Sequence, residues 1–279
     1  MPIARDKAVA LSPDQTPEGW SSHANAYDVW FAPLTARFAA DVVQELGLGP
    51  GTRFLDVGAG TGSLTLAAAR AGADVLAVDF APGMINALRG NVSAAGLVAR
   101  TAVMDGQALD LRDHAFDAVG SVLGLVYFPD LAAGARELRR VLRIGGRAAI
   151  TTWAPDGFVM QRIVLDALEQ VLPGEPLRPS SLPPLFRLSD PSHVEMLMQD
   201  AGFASVDVRV LEHSWPIPEP ETFFQSLPSW SASIRPIFQR LELELDGVQE
   251  AASVFASLLK ERAGDDGLHA QMLLAVGSR

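Results

Sequence analysis

The chain has 279 residues, of which 22 are Lys or Arg and 33 are Asp or Glu, so its formal net charge is −11. Because 48% of the residues are hydrophobic, the chain can bury a large core, which excludes a largely disordered protein. The negative charge disfavours nucleic-acid partners and anionic lipid surfaces, and the absence of cysteine excludes disulfides and thiolate metal sites.

At about 150 residues per domain, the length fits one large domain or one domain with a substantial insertion. No apolar run reaches the roughly 18–20 residues that cross a bilayer. An acidic residue at position 6 and the lack of a long apolar stretch argue against a signal peptide. We therefore expect a cytoplasmic protein without stable membrane insertion.

Strand-like and helix-like segments alternate from residue 53 to residue 153, a pattern typical of a parallel α/β sheet. Short strand-like runs predict strands at 53–58, where the run stops at a glycine, and at 74–79, 100–104, 116–123 and 147–153. Helical periodicity predicts helices at 61–70, at 82–95 with Pro82 in the first turn, and at 130–143 with Gly145-Gly146 as the stop signal.

The pattern changes after Trp153. Seven prolines within residues 155–191 predict an irregular segment with one helix near 158–171. The segments predicted after it are a helix at 190–201, a strand at 204–211, a mostly helical stretch at 219–264 and a last strand at 269–276.

The predicted fold is α/β, with a doubly wound, Rossmann-like, seven-stranded and mostly parallel sheet whose last strand is antiparallel. Helical lid insertions and an N-terminal helical arm complete it. The predicted segments are an arm (1–45), an α/β core (46–153), a Pro-rich lid (154–189), a core continuation (190–213), a helical lid (214–267) and a final core strand (268–279).

A glycine-rich loop, Asp56 to Gly62, joins the first predicted strand to its helix. Its glycines allow a tight turn and a close approach to a ligand, and the helix start presents free N–H groups. A dinucleotide fingerprint would have its third glycine where Ser63 stands, so the spacing leans away from a pyrophosphate. The alternative for the loop alone is a tight turn without a ligand.

Two further acidic residues follow the next two strands. Asp79 ends the second strand, where an α/β sheet places an acid that accepts ribose hydroxyls; the alternative is a helix cap before Pro82. Asp105 follows the third strand and can accept from an exocyclic amine, or be an ordinary turn aspartate. Together, the order and spacing of the three elements indicate one ligand site.

The successive segments DVGAGTG, AVDFAPGMI, VMDGQAL and LRIGGR resemble the motifs of class I S-adenosylmethionine-dependent methyltransferases. The similarity is greatest to the ubiquinone/menaquinone-type and small-molecule branch, and it covers residues 25–153 and, more loosely, 190–211. In the last motif Ile144 stands where the family usually has proline. The resemblance implies S-adenosylmethionine as the cofactor and S-adenosylhomocysteine as the product.

The resemblance also implies the cofactor site. Asp56 and the glycine loop would surround the methionine part, Asp79 would hold the ribose, Phe80 and Met84 would line the adenine slot, and Asp105 would accept from the adenine amine. The cofactor-binding residues predicted in this way are Tyr27, Asp56, Gly58, Ala59, Gly60, Gly62, Asp79, Phe80, Met84, Asp105, Gly106, Gln107 and Leu123.

Aromatic residues cluster at both ends of this region. In the enzymes that the chain resembles, an N-terminal arm folds over the cofactor, so Tyr27 is a candidate lid contact at the methionine end. Tyr127, Phe128 and Trp153 follow strands four and five at the open end of the sheet, where α/β ligands bind. They are candidates for the acceptor pocket, and simple burial is the alternative.

Methyl transfer needs an in-line nucleophile in a pocket that excludes water, and a base only if the acceptor must lose a proton. The sequence identifies no catalytic residue. His23, Tyr27 and His213 are candidates, although a lone histidine has many structural uses. No cluster has metal-ligand spacing, so no metal is expected.

The leading hypothesis is a methyltransferase acting on O, N or C of a small, apolar or aromatic metabolite, as a monomer or homodimer. The alternative is an S-adenosylmethionine-binding protein that uses the pocket for non-methylating catalysis or regulation. A nicotinamide oxidoreductase is disfavoured by the glycine spacing and by the lack of a Tyr-x-x-x-Lys pair.

Overall fold

A computed structural model describes residues 16–175, 177, 184–231, 234–241 and 245–279. Within these residues seven strands form one sheet. They are β1 (Arg53–Val57), β2 (Asp74–Asp79), β3 (Arg100–Val103), β4 (Phe116–Val122), β5 (Leu142–Trp153), β6 (Ala204–Trp215) and β7 (Leu268–Ser278). The order across the sheet is β3-β2-β1-β4-β5-β7-β6.

The first five strands pair in parallel, and β7 runs antiparallel between β5 and β6. The described helices are α1 (Pro17–Trp30), α2 (Ala32–Leu46), α3 (Ser63–Arg70), α4 (Pro82–Ala94), α5 (Leu131–Val141), α6 (Val159–Val171), α7 (Pro191–Asp200), α8 (Pro220–Trp230), α9 (Arg235–Leu241) and α10 (Leu245–Arg262). The predicted fold class is confirmed.

The central strands bury most of their residues because helices cover both faces of the sheet. Successive residues of β1 illustrate this: Phe54 packs in the cluster of α2 and α3, whereas Leu55 packs in the cluster of α5 and α7. Both side chains are fully buried. The open, carboxyl ends of β1 to β5 therefore lie at one edge, where the connecting turns converge.

A second apolar core lies at that end of the sheet. It brings side chains of α1, α6, α8 and α10 together with the ends of β5 and β6, including the fully buried Trp153, Phe223 and Phe255. Aromatic side chains dominate it, with neighbouring rings such as Trp153 and Phe158 stacked 4.3 Å apart. This core forms one wall of the site described below.

The prediction that Gly145-Gly146 stops a helix and that a strand starts at residue 147 is wrong. Helix α5 ends at Val141 and β5 begins at Leu142. The two glycines lie inside β5, where its register with β4 shifts at a bulge. Gly145 has a φ of 74° and a Cβ on Gly146 would lie 2.9 Å from the Asp117 carbonyl oxygen, so glycine is required for this bulge.

The last two strands are longer than the predicted 204–211 and 269–276. Their pairing continues to Trp215 opposite Leu268, and both side chains are buried. This burial keeps the chain extended up to Pro216. None of the described helices is both long and apolar enough to span a bilayer.

Candidate functional site

The glycine loop after β1 requires glycine for conformational and steric reasons. Gly58, Gly60 and Gly62 have φ values of 69°, 55° and 106°, in the region that L side chains rarely adopt. A Cβ on Gly58 would lie only 2.9 Å from the Cα of Gly124, in the turn after β4. The loop therefore runs directly against a neighbouring backbone.

Gly62, unlike Gly58 and Gly60, packs against a helix. It precedes the first residue of α3, and a Cβ there would lie 3.0 Å from Cγ of Leu88 in α4. It is not among the residues that line the described cavities, so the structure places it in helix packing.

Asp79 lies at the end of β2 beside this loop. Its carboxylate accepts hydrogen bonds from the backbone N–H groups of Gly60 and Ala81, both at 2.9 Å. The side chain is 7% exposed, and burial raises the pKa of Asp79 to about 6. The cap position of α4 is Ala81, so Asp79 does not cap that helix directly.

The turns after β1 to β4 enclose a cavity of about 640 Å³, including its open mouth, which we call the glycine-loop cavity. Ten of the predicted cofactor residues line it: Tyr27, Gly58, Gly60, Asp79, Phe80, Met84, Asp105, Gly106, Gln107 and Leu123. Sequence reasoning missed other members of its wall, including Met104, Gly124 and Pro129.

Asp105 is held by its neighbours at the far end of this cavity. Oδ1 accepts from the backbone N–H of Gln107 at 2.9 Å and from its side-chain amide at 3.1 Å. The Gln107 amide oxygen in turn accepts from the N–H of Asp130 at 2.8 Å. The Asp105 carboxylate, for which the resemblance implies a contact with an exocyclic amine, is therefore oriented by hydrogen bonds from Gln107, which is itself fixed by Asp130.

A smaller cavity adjoins the glycine loop, and we call it the Asp56 cavity. Its wall includes Asp56, Ala59, Thr61 and Tyr27. Oδ2 of Asp56 accepts from the Thr65 hydroxyl at 2.6 Å, and burial raises the pKa of Asp56 to about 7.

Two buried polar atoms of this cavity, Oδ1 of Asp56 and Oγ1 of Thr61, have no hydrogen-bond partner within the described part of the chain. Buried polar atoms are rarely left unpaired. A carboxylate oxygen and a hydroxyl suit a ligand that carries an ammonium and a carboxylate.

A third cavity of about 330 Å³, including its open mouth, lies towards the helices at the open end of the sheet. We call it the aromatic cavity; it is lined by Trp20, Tyr27, Phe31, Tyr127, Trp153, Phe158, Leu185, Trp230 and Ser231. The predicted Tyr127 and Trp153 are here, and Tyr127 also lines the glycine-loop cavity. Of the three described cavities, Phe128 lines the glycine-loop cavity and not the other two.

Tyr27 is the residue that the three cavities have in common. Its ring centroid lies 5.9 Å from that of Trp20, seven residues or two helical turns earlier, and 5.2 Å from that of Phe31, four residues later. Burial raises the pKa of the Tyr27 phenol well above its usual range, so the hydroxyl stays protonated at neutral pH. Tyr27 was predicted from the resemblance; the spacing of seven and four residues, which puts residues 20, 27 and 31 on one helical face, is a further signal in the sequence.

The two candidate histidines lie outside these cavities. His23 is buried beside Trp20, and burial together with the charge of Arg235 lowers the pKa of His23 to about 4. The strand predicted at 204–211 would have left His213 beyond its end, but His213 lies inside β6, with Nε2 2.5 Å from Oδ2 of Asp41. No group of three or more metal-ligating side chains occurs in the described ranges.

Comparisons with known proteins agree with this geometry. A family model described as a methyltransferase domain matches residues 55–150. An uncharacterised protein of Mycobacterium tuberculosis is 34% identical over 159 residues, which are 57% of this chain and 56% of that protein. The chain thus spans little more than half the length of this relative.

A demethylmenaquinone methyltransferase of Renibacterium salmoninarum is 30% identical over 212 residues, or 71% of this chain and 88% of that enzyme. Among solved structures, the fold is similar to that of phosphoethanolamine N-methyltransferase 2 of Haemonchus contortus, determined with phosphomonomethylethanolamine and S-adenosylhomocysteine. The TM-score is 0.53 at 18% identity, over 87% of this chain and 52% of that one.

The length of the match to the Renibacterium enzyme, together with the glycine loop and the strand order, establishes the family. The chain belongs to the class I S-adenosylmethionine-dependent methyltransferases, and S-adenosylmethionine is its cofactor.

Proposed function

We propose that this protein transfers a methyl group to O, N or C of a small, apolar or aromatic metabolite. The observation that carries the proposal is the aromatic cavity, which shares Trp20, Tyr27 and Tyr127 with the glycine-loop cavity. An acceptor held there would lie next to the methyl donor. The described lining residues of the aromatic cavity include no charged side chain, and aromatic walls favour flat, apolar ligands.

For the nucleoside part of the cofactor, the proposed ligands are the residues at the ends of β2 and β3. Asp79 would accept the ribose hydroxyls, since a carboxylate oxygen that already accepts one N–H can accept a second donor. Asp105, with Gly106 and Gln107 beside it, would accept from the adenine amine. Phe80 and Met84 would line the adenine slot, and Leu123, after the end of β4, would lie under the cofactor.

For the amino-acid part, the proposed ligands are the two unpaired atoms of the Asp56 cavity. Oδ1 of Asp56 would accept from the ammonium, and the hydroxyl of Thr61 would donate to the carboxylate. Gly58, Ala59 and Gly60 would present their backbone along this part, and the ring of Tyr27 would cover it.

When bound, S-adenosylmethionine supplies an electrophilic methyl group, so the chain has to orient the acceptor and exclude water. The rings of Trp20, Tyr27 and Tyr127 are suited to both tasks because they border both cavities. A protonated Tyr27 phenol donates a hydrogen bond rather than accepting a proton. We therefore propose that it orients the acceptor and does not act as a base.

The test starts with calorimetric titration of the protein with S-adenosylmethionine, S-adenosylhomocysteine and NADH. One-site binding of both sulfur nucleotides without an NADH signal is expected. Phenols, quinols, aromatic amines and matched aliphatic amines are then incubated with methyl-labelled cofactor.

Label transfer to the aromatic acceptors would support the proposal. Transfer only to charged aliphatic acceptors would contradict the acceptor class. Tight binding without any label transfer would favour the non-methylating alternative.

A further inference from the structure

The turn after β4 forms a wall between the two large cavities. Leu125–Tyr127 form one 3-10 turn, and Phe128 follows it. Tyr127 lines both the glycine-loop and the aromatic cavity. The ring of Phe128 presses on Gly106, where a Cβ would come within 2.4 Å of it. The position of this turn therefore affects the shape of both cavities.

Arg187, which is distant in sequence, contacts this turn. Its Nη2 donates to the carbonyl oxygen of Phe128 at 2.7 Å and to that of Val126 at 3.2 Å. These two carbonyls flank Tyr127 on either side. Burial lowers the pKa of Arg187 below its ordinary value, so its charge is partly desolvated. Hydrogen bonds from such a group are costly to lose.

The same short segment also reaches the aromatic cavity. Leu185, two residues before Arg187, is buried in the wall of that cavity. Leu188, the residue after Arg187, is buried in the cluster of α5 and α7. The segment is thus anchored on both sides of the guanidinium, and movement of Leu185 would be transmitted to the carbonyls beside Tyr127.

We propose that Arg187 is a positioning residue that couples the acceptor side of the site to the cofactor side. It connects the segment that carries Leu185 to the turn that carries Tyr127 and Phe128. A ligand in either cavity then stabilises the wall of the other, and by linkage this effect is reciprocal. The inference rests on the proposed function, which assigns one cavity to the acceptor and the other to the cofactor. The contact between Arg187 and the turn can nevertheless be tested without an acceptor.

The experiment is hydrogen exchange of the full-length protein, with and without S-adenosylhomocysteine as the probe. The variants are Arg187→Met and Arg187→Lys. The matched control is Arg139→Met, which also removes an arginine that donates to a backbone carbonyl, that of Gly202, away from the cavities. The amides to follow are those of Tyr127, Phe128 and Ser189, which are hydrogen-bonded within their own turns.

In the unmodified protein, the probe should slow exchange both at the Tyr127–Phe128 turn and at Ser189. In Arg187→Met, exchange at the turn without the probe should be about tenfold faster, and the probe should no longer protect Ser189. Its affinity for the probe should fall by about threefold to tenfold. Arg187→Lys should fall between, and Arg139→Met should match the unmodified protein.

Unchanged exchange at the turn in Arg187→Met, or probe protection that still reaches Ser189, would overturn the coupling. If Arg187→Met exchanges globally because it does not fold, Arg187→Lys decides the same two questions. If the unmodified protein does not bind the probe, the proposed function fails. The comparison of probe-free exchange at the turn still tests the Arg187 connection separately.

Discussion

The glycine-loop cavity and the aromatic cavity adjoin each other but are built in different ways. The first is formed mainly by strand-end turns between residues 58 and 129, together with two side chains of α1 and Met84 of α4. Its polar contacts use backbone N–H groups and carboxylates. The second is formed by side chains between residues 20 and 231, contributed by helices and by the end of β5. Backbone groups suit a ligand that is the same in every family member, such as the cofactor. Side chains can be replaced without changing the fold, so they suit an acceptor that differs between family members.

The comparison predicts that cofactor affinity depends most on the glycine loop. In Gly58→Ala, the added Cβ would meet the Gly124 backbone at 2.9 Å while φ is 69°, so the loop must move. We expect affinity for S-adenosylhomocysteine to fall by about 100-fold, measured by calorimetry.

Gly96→Ala is the matched control because Gly96 has a φ of 65° but no heavy atom within 4 Å of the added Cβ. It should lose stability through backbone conformation alone and keep its affinity. Equal affinity losses in both variants would show that the close approach of the loop is not what matters.

The next largest effect is expected at the carboxylate of Asp79. Asp79→Ala removes an ionised acceptor, which should weaken binding of S-adenosylhomocysteine by about 1–3 kcal/mol. Asp74→Ala, at the exposed start of the same strand, removes only a surface ion pair with Arg100 and should leave the affinity unchanged. A folded Asp79→Ala protein with normal affinity would refute the ribose assignment.

Cofactor affinity should also depend on pH. Burial raises the folded-state pKa of Asp56 to about 7 and that of Asp79 to about 6, so both bind protons below these values. Their ionised forms are the ones that accept from an ammonium and from hydroxyls. We expect affinity for S-adenosylhomocysteine to increase by about tenfold from pH 5.5 to 7.5, with protons released on binding.

The free protein should respond to pH in the opposite sense. The folded chain holds these protons more tightly than the unfolded chain, so their contribution to the free energy of unfolding falls as pH rises from about 4 to about 7.

The protons released on cofactor binding are measured by calorimetric titration in buffers of different ionisation enthalpy. Asp56→Asn is the control variant, and it should release fewer protons. A pH-independent affinity would argue against both carboxylate roles.

The smallest effect on cofactor affinity is expected in the aromatic cavity. Leu185→Trp would partly fill this cavity, whereas Leu185 is not among the residues that line the glycine-loop cavity. Affinity for S-adenosylhomocysteine should fall by about threefold or less, as the part of the effect that Arg187 transmits to the cofactor side, while methylation of an acceptor found in the screen should fall by about tenfold or more. Unimpaired methylation in this variant would place the acceptor elsewhere.

Much of the fold and of the cofactor side was predictable because it is local. A parallel strand that is covered on both faces is a mostly apolar run, and β1, β2 and β4 each contain one despite their aspartates. The bulge at Gly145-Gly146 was not predictable, because a glycine pair after a helix looks the same whether the chain turns or stays in the sheet. The position of His213 within β6 depended on Trp215, which is buried only once β7 pairs with it.

The sequence by itself determined the sheet, the glycine loop and the acidic residues after successive strands, since each depends on neighbours only a few residues away. Only the tertiary structure decided which rings enclose the acceptor side. Helical periodicity shows that Trp20 and Phe31 face inward, but not that they meet Trp153 and Trp230. Nor does any spacing along the chain bring Arg187 to the turn around Tyr127, because that contact exists only after the sheet has formed.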